Sequence, residues 1–222
     1  MTTSDHTGVK SAIAEHRVLP VVTVEDQEAL ESVLQALTGG GLPLIELTLR
    51  TPYSLEAITT ARAQSRAVVG AGSIRAVHDA RAAVDAGAQF LVSPGLDPDV
   101  LAWSDGQRIP VFPGVATPSE ALVARRAGLD TVKFFPASVC GGPSWVKAVS
   151  APIPDIAFLP TGGIDDTTFE AYLAIPSVIA VGGSWFLDPT ESHERREARV
   201  ANVVERARRA GRPHYSTEGE RR

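Results

Sequence analysis

The stretch Ile45-Glu46-Leu47-Thr48-Leu49-Arg50 decides the fold. Side chains alternate across a strand, so Ile45, Leu47 and Leu49 share one side and Glu46, Thr48 and Arg50 the other. The apolar side belongs against helices. The side bearing a carboxylate, a hydroxyl and a guanidinium belongs toward a polar interior that opens at the strand's end. Working outward, short apolar runs recur at 18–23, 42–49, 67–71, 89–92, 109–112, 131–135, 157–160 and 178–181, giving eight strand candidates. Between them, 26–37, 54–64, 77–85 and 119–127 carry apolar residues at a helical period. Strands apolar on both faces, each followed by a helix, form a parallel sheet joined by right-handed crossovers. Polar residues recur where the strands end: Ser73, Ser93, Lys133, Thr161 and Ser184 join Glu46, Thr48 and Arg50. One mouth of a barrel requires that placement, whereas strand count alone does not separate a barrel from an open doubly wound sheet. The expected fold is α/β, a single (β/α)8 TIM barrel with an extra N-terminal helix at 8–17 beneath it.

At 222 residues, 44% of them hydrophobic, the chain can bury one sizeable core without metals or disulfides. It is shorter than the roughly 250 residues of a typical barrel, so its loops must be short. One domain over 1–222 is expected, with 1–7 and 211–222 flexible. A lone cysteine, Cys140, cannot form an intramolecular bridge, and neither a secretion signal nor a bilayer-length apolar run is evident, which points to the cytoplasm and to no membrane partner. A net charge of -5 argues against nucleic acid. Arg195, Arg196, Arg199, Arg206, Arg208, Arg209 and Arg212 do gather near the C-terminus, but Glu191, Glu194, Glu197 and Glu205 interleave with them, the pattern of a solvated surface helix. The histidines are scattered, and none forms a metal spacing with Cys140, so no metal is expected.

Lysine is rare, with only Lys10, Lys133 and Lys147. Lys133 lies in Thr131-Val132-Lys133-Phe134-Phe135-Pro136, where its ammonium must leave water unless the strand end opens into a polar cavity. Desolvation favours the free amine, the form that attacks a ketone to make an imine. A strand-end lysine snorkelling to solvent fits the same spacing. Glu46 is placed to move protons and Arg50 to take a carboxylate in a two-pronged hydrogen bond, although a structural ion pair between them is equally compatible. Thr161-Gly162-Gly163-Ile164 and Gly182-Gly183-Ser184-Trp185 follow the last two strand candidates, where barrels of this kind bind phosphate on main-chain N–H groups. Ser73, after Gly70-Ala71-Gly72, either helps Arg50 hold a carboxylate or caps the next helix.

Taken together, Glu46-Leu47-Thr48-Leu49-Arg50-Thr51, Gly70-Ala71-Gly72-Ser73, Ser93-Pro94-Gly95, Pro113-Gly114, Thr117-Pro118-Ser119-Glu120, Lys133-Phe134-Phe135-Pro136-Ala137 and the two glycine pairs resemble the bacterial 2-keto-3-deoxy-6-phosphogluconate (KDPG) aldolase and 4-hydroxy-2-oxoglutarate aldolase family, in order and spacing over nearly the whole chain. The resemblance implies a cofactor-free class I aldolase, a homotrimer, that cleaves KDPG to pyruvate and glyceraldehyde 3-phosphate. It makes Lys133 the Schiff-base lysine and Glu46 the general acid/base. Arg50 and Ser73 would bind the pyruvate carboxylate, and Pro94 and Phe135 would line the pyruvyl pocket. Thr161, Gly162, Gly163, Gly182, Gly183 and Ser184 would hold the phosphate. Ser73 departs from the family's usual threonine, keeping the hydroxyl and losing a methyl. Cleavage of 4-hydroxy-2-oxoglutarate or of the galactonate epimer is the alternative within the family. A phosphate-binding barrel isomerase and a non-catalytic sugar-phosphate sensor are the readings outside it.

Overall fold

The computed structural model describes residues 4–211. Helices and parallel strands alternate as α1 (Ser4–His16), β1 (Val18–Val22), α2 (Gln27–Gly39), β2 (Leu44–Thr48), α3 (Ser54–Gln64), β3 (Val68–Gly72), α4 (Val77–Asp85), β4 (Phe90–Val92), α5 (Pro98–Gln107), β5 (Val111–Phe112), β6 (Gly114–Val115), α6 (Pro118–Arg126), β7 (Thr131–Phe134), α7 (Gly142–Ser150), β8 (Ala157–Pro160), α8 (Phe169–Leu173), β9 (Val181–Gly183) and α9 (His193–Arg209). Six strands run in the order β5-β4-β3-β2-β1-β9 and three in the order β6-β7-β8. The sheet curls, since β1, the first strand, pairs in parallel with β9, the last, Val18 opposite Val181. An isolated bridge joins Thr161 to Gly182 across the β8 side. Among the described residues no helix is long and apolar enough to cross a membrane. The flexible ends expected at 1–7 and 211–222 fall largely outside the described residues, which omit 1–3 and 212–222.

Two strand expectations are corrected. The run at 109–112 begins its ladder only at Val111 and resumes at Gly114–Val115, giving two short strands in place of one. Pro113 separates them: it has no N–H to donate and a fixed φ, though its carbonyl still accepts from Lys133 N at 2.9 Å. The last strand lies at Val181–Gly183, not 178–181; Val178 makes only an isolated bridge to Phe158. Apolar periodicity marks which residues are buried, whereas ladder pairing depends on where the neighbouring strand passes.

Several helices start at a side-chain cap. Asp26 accepts from Ala29 N and Asp97 from Val100 N, each at 2.9 Å, while Pro98 opens α5 with the φ a first turn needs. Thr117 and Glu120 form a reciprocal capping box on α6, which explains the Thr-Pro-Ser-Glu motif as a helix start. Between sheet and helices, Phe134 of β7 stacks on Trp145 of α7 at 4.1 Å between ring centroids, and Trp145 meets Phe158 of β8 edge-on at 5.7 Å. Contacts of this kind contribute about 0.5–1.5 kcal/mol each beyond burial. With Phe134 drawn outward to α7, alternation turns its neighbour Lys133 to the inner side of the sheet.

At the opposite end, α1 closes with a buried histidine. His16 Nδ1 has no hydrogen-bond partner, and burial holds the imidazole below its usual pKa, helped by Arg208 and opposed by Glu15. The unfolded chain therefore binds a proton near pH ~6.5 that the folded chain refuses, so this contribution to stability is complete above that pH and is lost as pH falls below it. His16→Leu should remove that component: melting temperatures followed from pH 8 to 5 should decline less steeply in the variant. Parallel declines would show that His16 does not titrate differently in the two states.

Candidate active site

Glu46 in the middle of β2 and Lys133 in β7 come from different sheets, yet Lys133 Nζ lies 3.7 Å from Glu46 Oε1. Both are buried, at 1% and 4% exposure. Glu46 has room because β3 presents Gly72 beside it: a Cβ there would lie 2.1 Å from Oε1. Burial pushes the Glu46 carboxyl above the ordinary carboxylate range, against the opposing pull of Lys133 and then Arg50. Its second oxygen, Oε2, is buried and has no hydrogen-bond partner. A carboxyl whose affinity for a proton is raised by burial, beside an amine, is equipped to take and return a proton. Lys133 Nζ also sits 5.1 Å from the centroid of the Phe135 ring. The snorkelling alternative fails, because the amine points inward.

Arg50 follows the end of β2, and its Nε donates to Ser73 Oγ at 2.9 Å. The serine oxygen thus accepts from the guanidinium and keeps its own hydrogen for an arriving acceptor. This pairing replaces the alternative in which Glu46 and Arg50 neutralise one another. Ser73 has φ +64°, the left-handed region in which a β-branched side chain is most strained. Serine at this position therefore keeps the hydroxyl at lower conformational cost than threonine.

On the other side of Lys133, Gly162 and Gly163 have φ of +97° and +70°, a turn that side chains rarely adopt. The segment after Lys133 is tied to it, Ala137 N donating to Thr161 O at 2.8 Å and Ser138 N to Gly162 O at 3.0 Å. Gly182 packs directly on Thr161, where a Cβ would meet Oγ1 at 2.4 Å. A cavity of about 890 Å³ runs past these groups; Arg50, Lys133, Phe135, Thr161, Gly162, Gly163, Gly182, Gly183 and Ser184 all line it. Glu46 reaches it through Lys133 and Ser73 through Arg50. Pro94 is exposed beyond β4 and is not among the cavity walls; its carbonyl abuts Gly114, where a Cβ would lie 2.2 Å away.

The cavity also has a wall that the charge pattern concealed. Arg196 lines it and is only 6% exposed, so the arginine-rich helix expected at the surface turns one face inward. The signal was present: Arg196, Val200, Val203 and Ala207 recur at the helical period and form the buried face of α9.

A curled parallel sheet that holds an amine and a carboxyl inside a cavity, with an arginine to one side and glycine turns to the other, is the architecture of an α/β enzyme for small molecules. The chain belongs to the KDPG and KHG aldolase family, whose sequence profile matches residues 9–203. It is 41% identical over 174 residues to the 2-dehydro-3-deoxy-phosphogluconate aldolase of Pseudomonas aeruginosa, covering 78% of this chain and 79% of that protein. The crystal structure of the 2-keto-3-deoxy-6-phosphogluconate aldolase of Zymomonas mobilis ZM4 with 3-phosphoglycerate matches with a TM-score of 0.86 at 34% identity, covering 95% of this chain and 100% of that one. The KDPG aldolase of Legionella pneumophila, with pyruvate captured as a covalent carbinolamine, matches with a TM-score of 0.79 at 32% identity, covering 91% and 97%.

Proposed function

We propose that this aldolase works through a Schiff base on Lys133 and cleaves KDPG to pyruvate and glyceraldehyde 3-phosphate. The observation that carries the reading is the inward Lys133 amine 3.7 Å from a buried Glu46 carboxyl, in one cavity with both glycine turns. The carbinolamine in the Legionella relative and the 3-phosphoglycerate in the Zymomonas relative support it. Lys133 Nζ adds to the C2 ketone, and loss of water leaves a protonated imine. Glu46, through water, takes the C4 hydroxyl proton; the C3–C4 bond breaks, its electron pair flows into the imine, and glyceraldehyde 3-phosphate leaves. A proton returns to C3 of the enamine, and hydrolysis frees pyruvate and the lysine. Arg50 and Ser73 hold the carboxylate, and Phe135 borders the pyruvyl group, whereas Pro94, expected beside it, lies outside the cavity wall. Thr161, Gly162, Gly163, Gly182, Gly183 and Ser184 take the phosphate largely on main-chain N–H groups.

The same reading makes the two sheets one closed eight-stranded barrel. The β1–β9 pairing, the Thr161–Gly182 bridge and the run of β5 into β6 across Pro113 support the closure. On the family resemblance, the enzyme is a single-domain cytoplasmic homotrimer.

A coupled assay for pyruvate release, run on KDPG, its galactonate epimer and 4-hydroxy-2-oxoglutarate, tests the activity, with KDPG expected to be turned over fastest. Higher kcat/KM for the short acid would move the assignment to that substrate. Gly183→Val tests the phosphate turn, because a Cβ at Gly183 would lie 2.4 Å from the Trp185 ring and the turn must shift. A displacement of that kind should lower kcat/KM for KDPG by about 10²-fold, since remote binding energy drives the reacting centre, and leave the short acid nearly unchanged. Equal losses on both substrates would reduce the turn to a packing element.

A further inference from the structure

We propose that Arg196 is a positioning residue for the phosphate end of the substrate: from α9 it holds the segment after β9 in the shape that presents the Gly183–Ser184 turn to the anion. The inference rests on the reading of that turn as the phosphate site and extends it to a residue outside every motif by which the family is known in this chain. Arg196 is buried, and its guanidinium is spread over four partners. Nε donates to Asp188 O at 3.1 Å, Nη1 to Ser32 Oγ at 2.7 Å, and Nη2 to Pro189 O and Glu191 O at 3.1 Å each. Three of the four are main-chain carbonyls of the segment leading out of the glycine–serine turn. The fourth, Ser32, ties that segment to α2, which also lines the cavity.

One turn farther along α9, Arg199 completes the hold, donating from Nη2 to Trp185 O at 2.9 Å and from Nη1 to Glu191 Oε1 at 2.8 Å. Trp185 in turn packs its ring over Gly183, and Leu187 N returns to Ser184 O at 2.9 Å. Main-chain N–H groups bind a dianion well only if they are aimed before it arrives, and a loop without regular structure does not aim them unaided. Among the described residues no carboxylate oxygen forms a close ion pair with Arg196; Asp188, whose Oδ1 accepts from Thr190 N and Oγ1, interacts with its charge from farther off. Burying a guanidinium costs desolvation, which its four hydrogen bonds offset only while the segment after β9 keeps its shape. A planar fork reaches four acceptors in different directions, and an ammonium on a flexible stem does not.

The test compares wild type, Arg196→Lys and Arg196→Met by three measurements: binding of inorganic phosphate, KM for KDPG against KM for 4-hydroxy-2-oxoglutarate, and borohydride trapping of pyruvate. Both variants should bind phosphate roughly tenfold or more weakly, as expected for the loss of several buried hydrogen bonds, with KM for KDPG raised alike. Trapping and the short acid should be nearly unaffected. Wild-type phosphate affinity in Arg196→Lys would overturn the positioning role in favour of charge alone, and wild-type affinity in Arg196→Met would remove Arg196 from the site. Equal losses in phosphate binding, short-acid turnover and trapping would mark a general staple of the fold and overturn the proposal. If the wild type binds phosphate through Arg196 but traps no pyruvate, the Schiff-base reading fails and the positioning role stands; if it binds no phosphate, both the turn assignment and the role of Arg196 fall.

Discussion

Lys133→Met is expected to abolish cleavage, with a fall of roughly 10⁵-fold or more, as when other covalent nucleophiles are removed. No other lysine is positioned to replace it, since Lys10 pairs with Asp130 and Lys147 lies in the last turn of α7. Borohydride reduction with pyruvate should place a 1-carboxyethyl group on Lys133 in the wild type and nowhere in the variant; an adduct mapped to Lys10 or Lys147 would sink the mechanism. Methionine is close to lysine in length, and Glu46, left without its partner, can become neutral by keeping a proton. The variant should therefore fold. Its stability should be best in acid and should fall as pH rises and Glu46 is forced to ionise, more steeply than in the wild type, where Lys133 offsets the charge.

Glu46→Gln carries the second largest effect. The amide keeps the shape and removes the base, so turnover should drop by about 10²–10⁴-fold while trapping of pyruvate on Lys133 persists in part. The stability consequence follows from the raised carboxyl pKa. A group that holds its proton more tightly when folded contributes stability that is complete below the unfolded value near pH ~4.3 and is lost as pH rises through the folded one. Glutamine has no such loss, so the melting temperature of the variant minus that of the wild type should increase with pH across that window. A flat difference would mean that Glu46 ionises as readily inside the protein as outside. Near-normal turnover in a folded variant would leave Glu46 as a spacer beneath Lys133.

Much of this site is visible in residue order alone. Alternation in 45–50 places Glu46 inward and Arg50 at the strand's end, and the glycine pairs after the last two strands mark where main chain can approach an anion. What fails to show is anything that depends on two distant segments meeting. Ser73 lies 23 residues from Arg50, and no local pattern says that its hydroxyl will accept from the guanidinium rather than cap α4. Pro94 sits in a motif with the right spacing, yet its carbonyl turns to Gly114 and it stays out of the cavity wall. Arg196 is hidden for the opposite reason: the dense arginine–glutamate pattern of α9 reads as surface, although its spacing with Val200 and Val203 sets it on the buried face.

By itself the sequence determined the class of fold, the order of strands and helices, the side of β2 on which Glu46 and Arg50 lie, and the family. Those properties follow from side-chain direction and local backbone preference, which are set within a few residues. Only the tertiary structure decided that Glu46 and Lys133 face each other across two sheets, that Arg50 belongs to Ser73, that the ladder breaks at Pro113 and resumes late at Val181, and that an arginine of α9 is hydrogen-bonded to the segment after β9. The physical reason is that these depend on the curl and stagger of the sheet. Hydrogen bonds and packing summed over the whole chain set that curl, and no single segment encodes it.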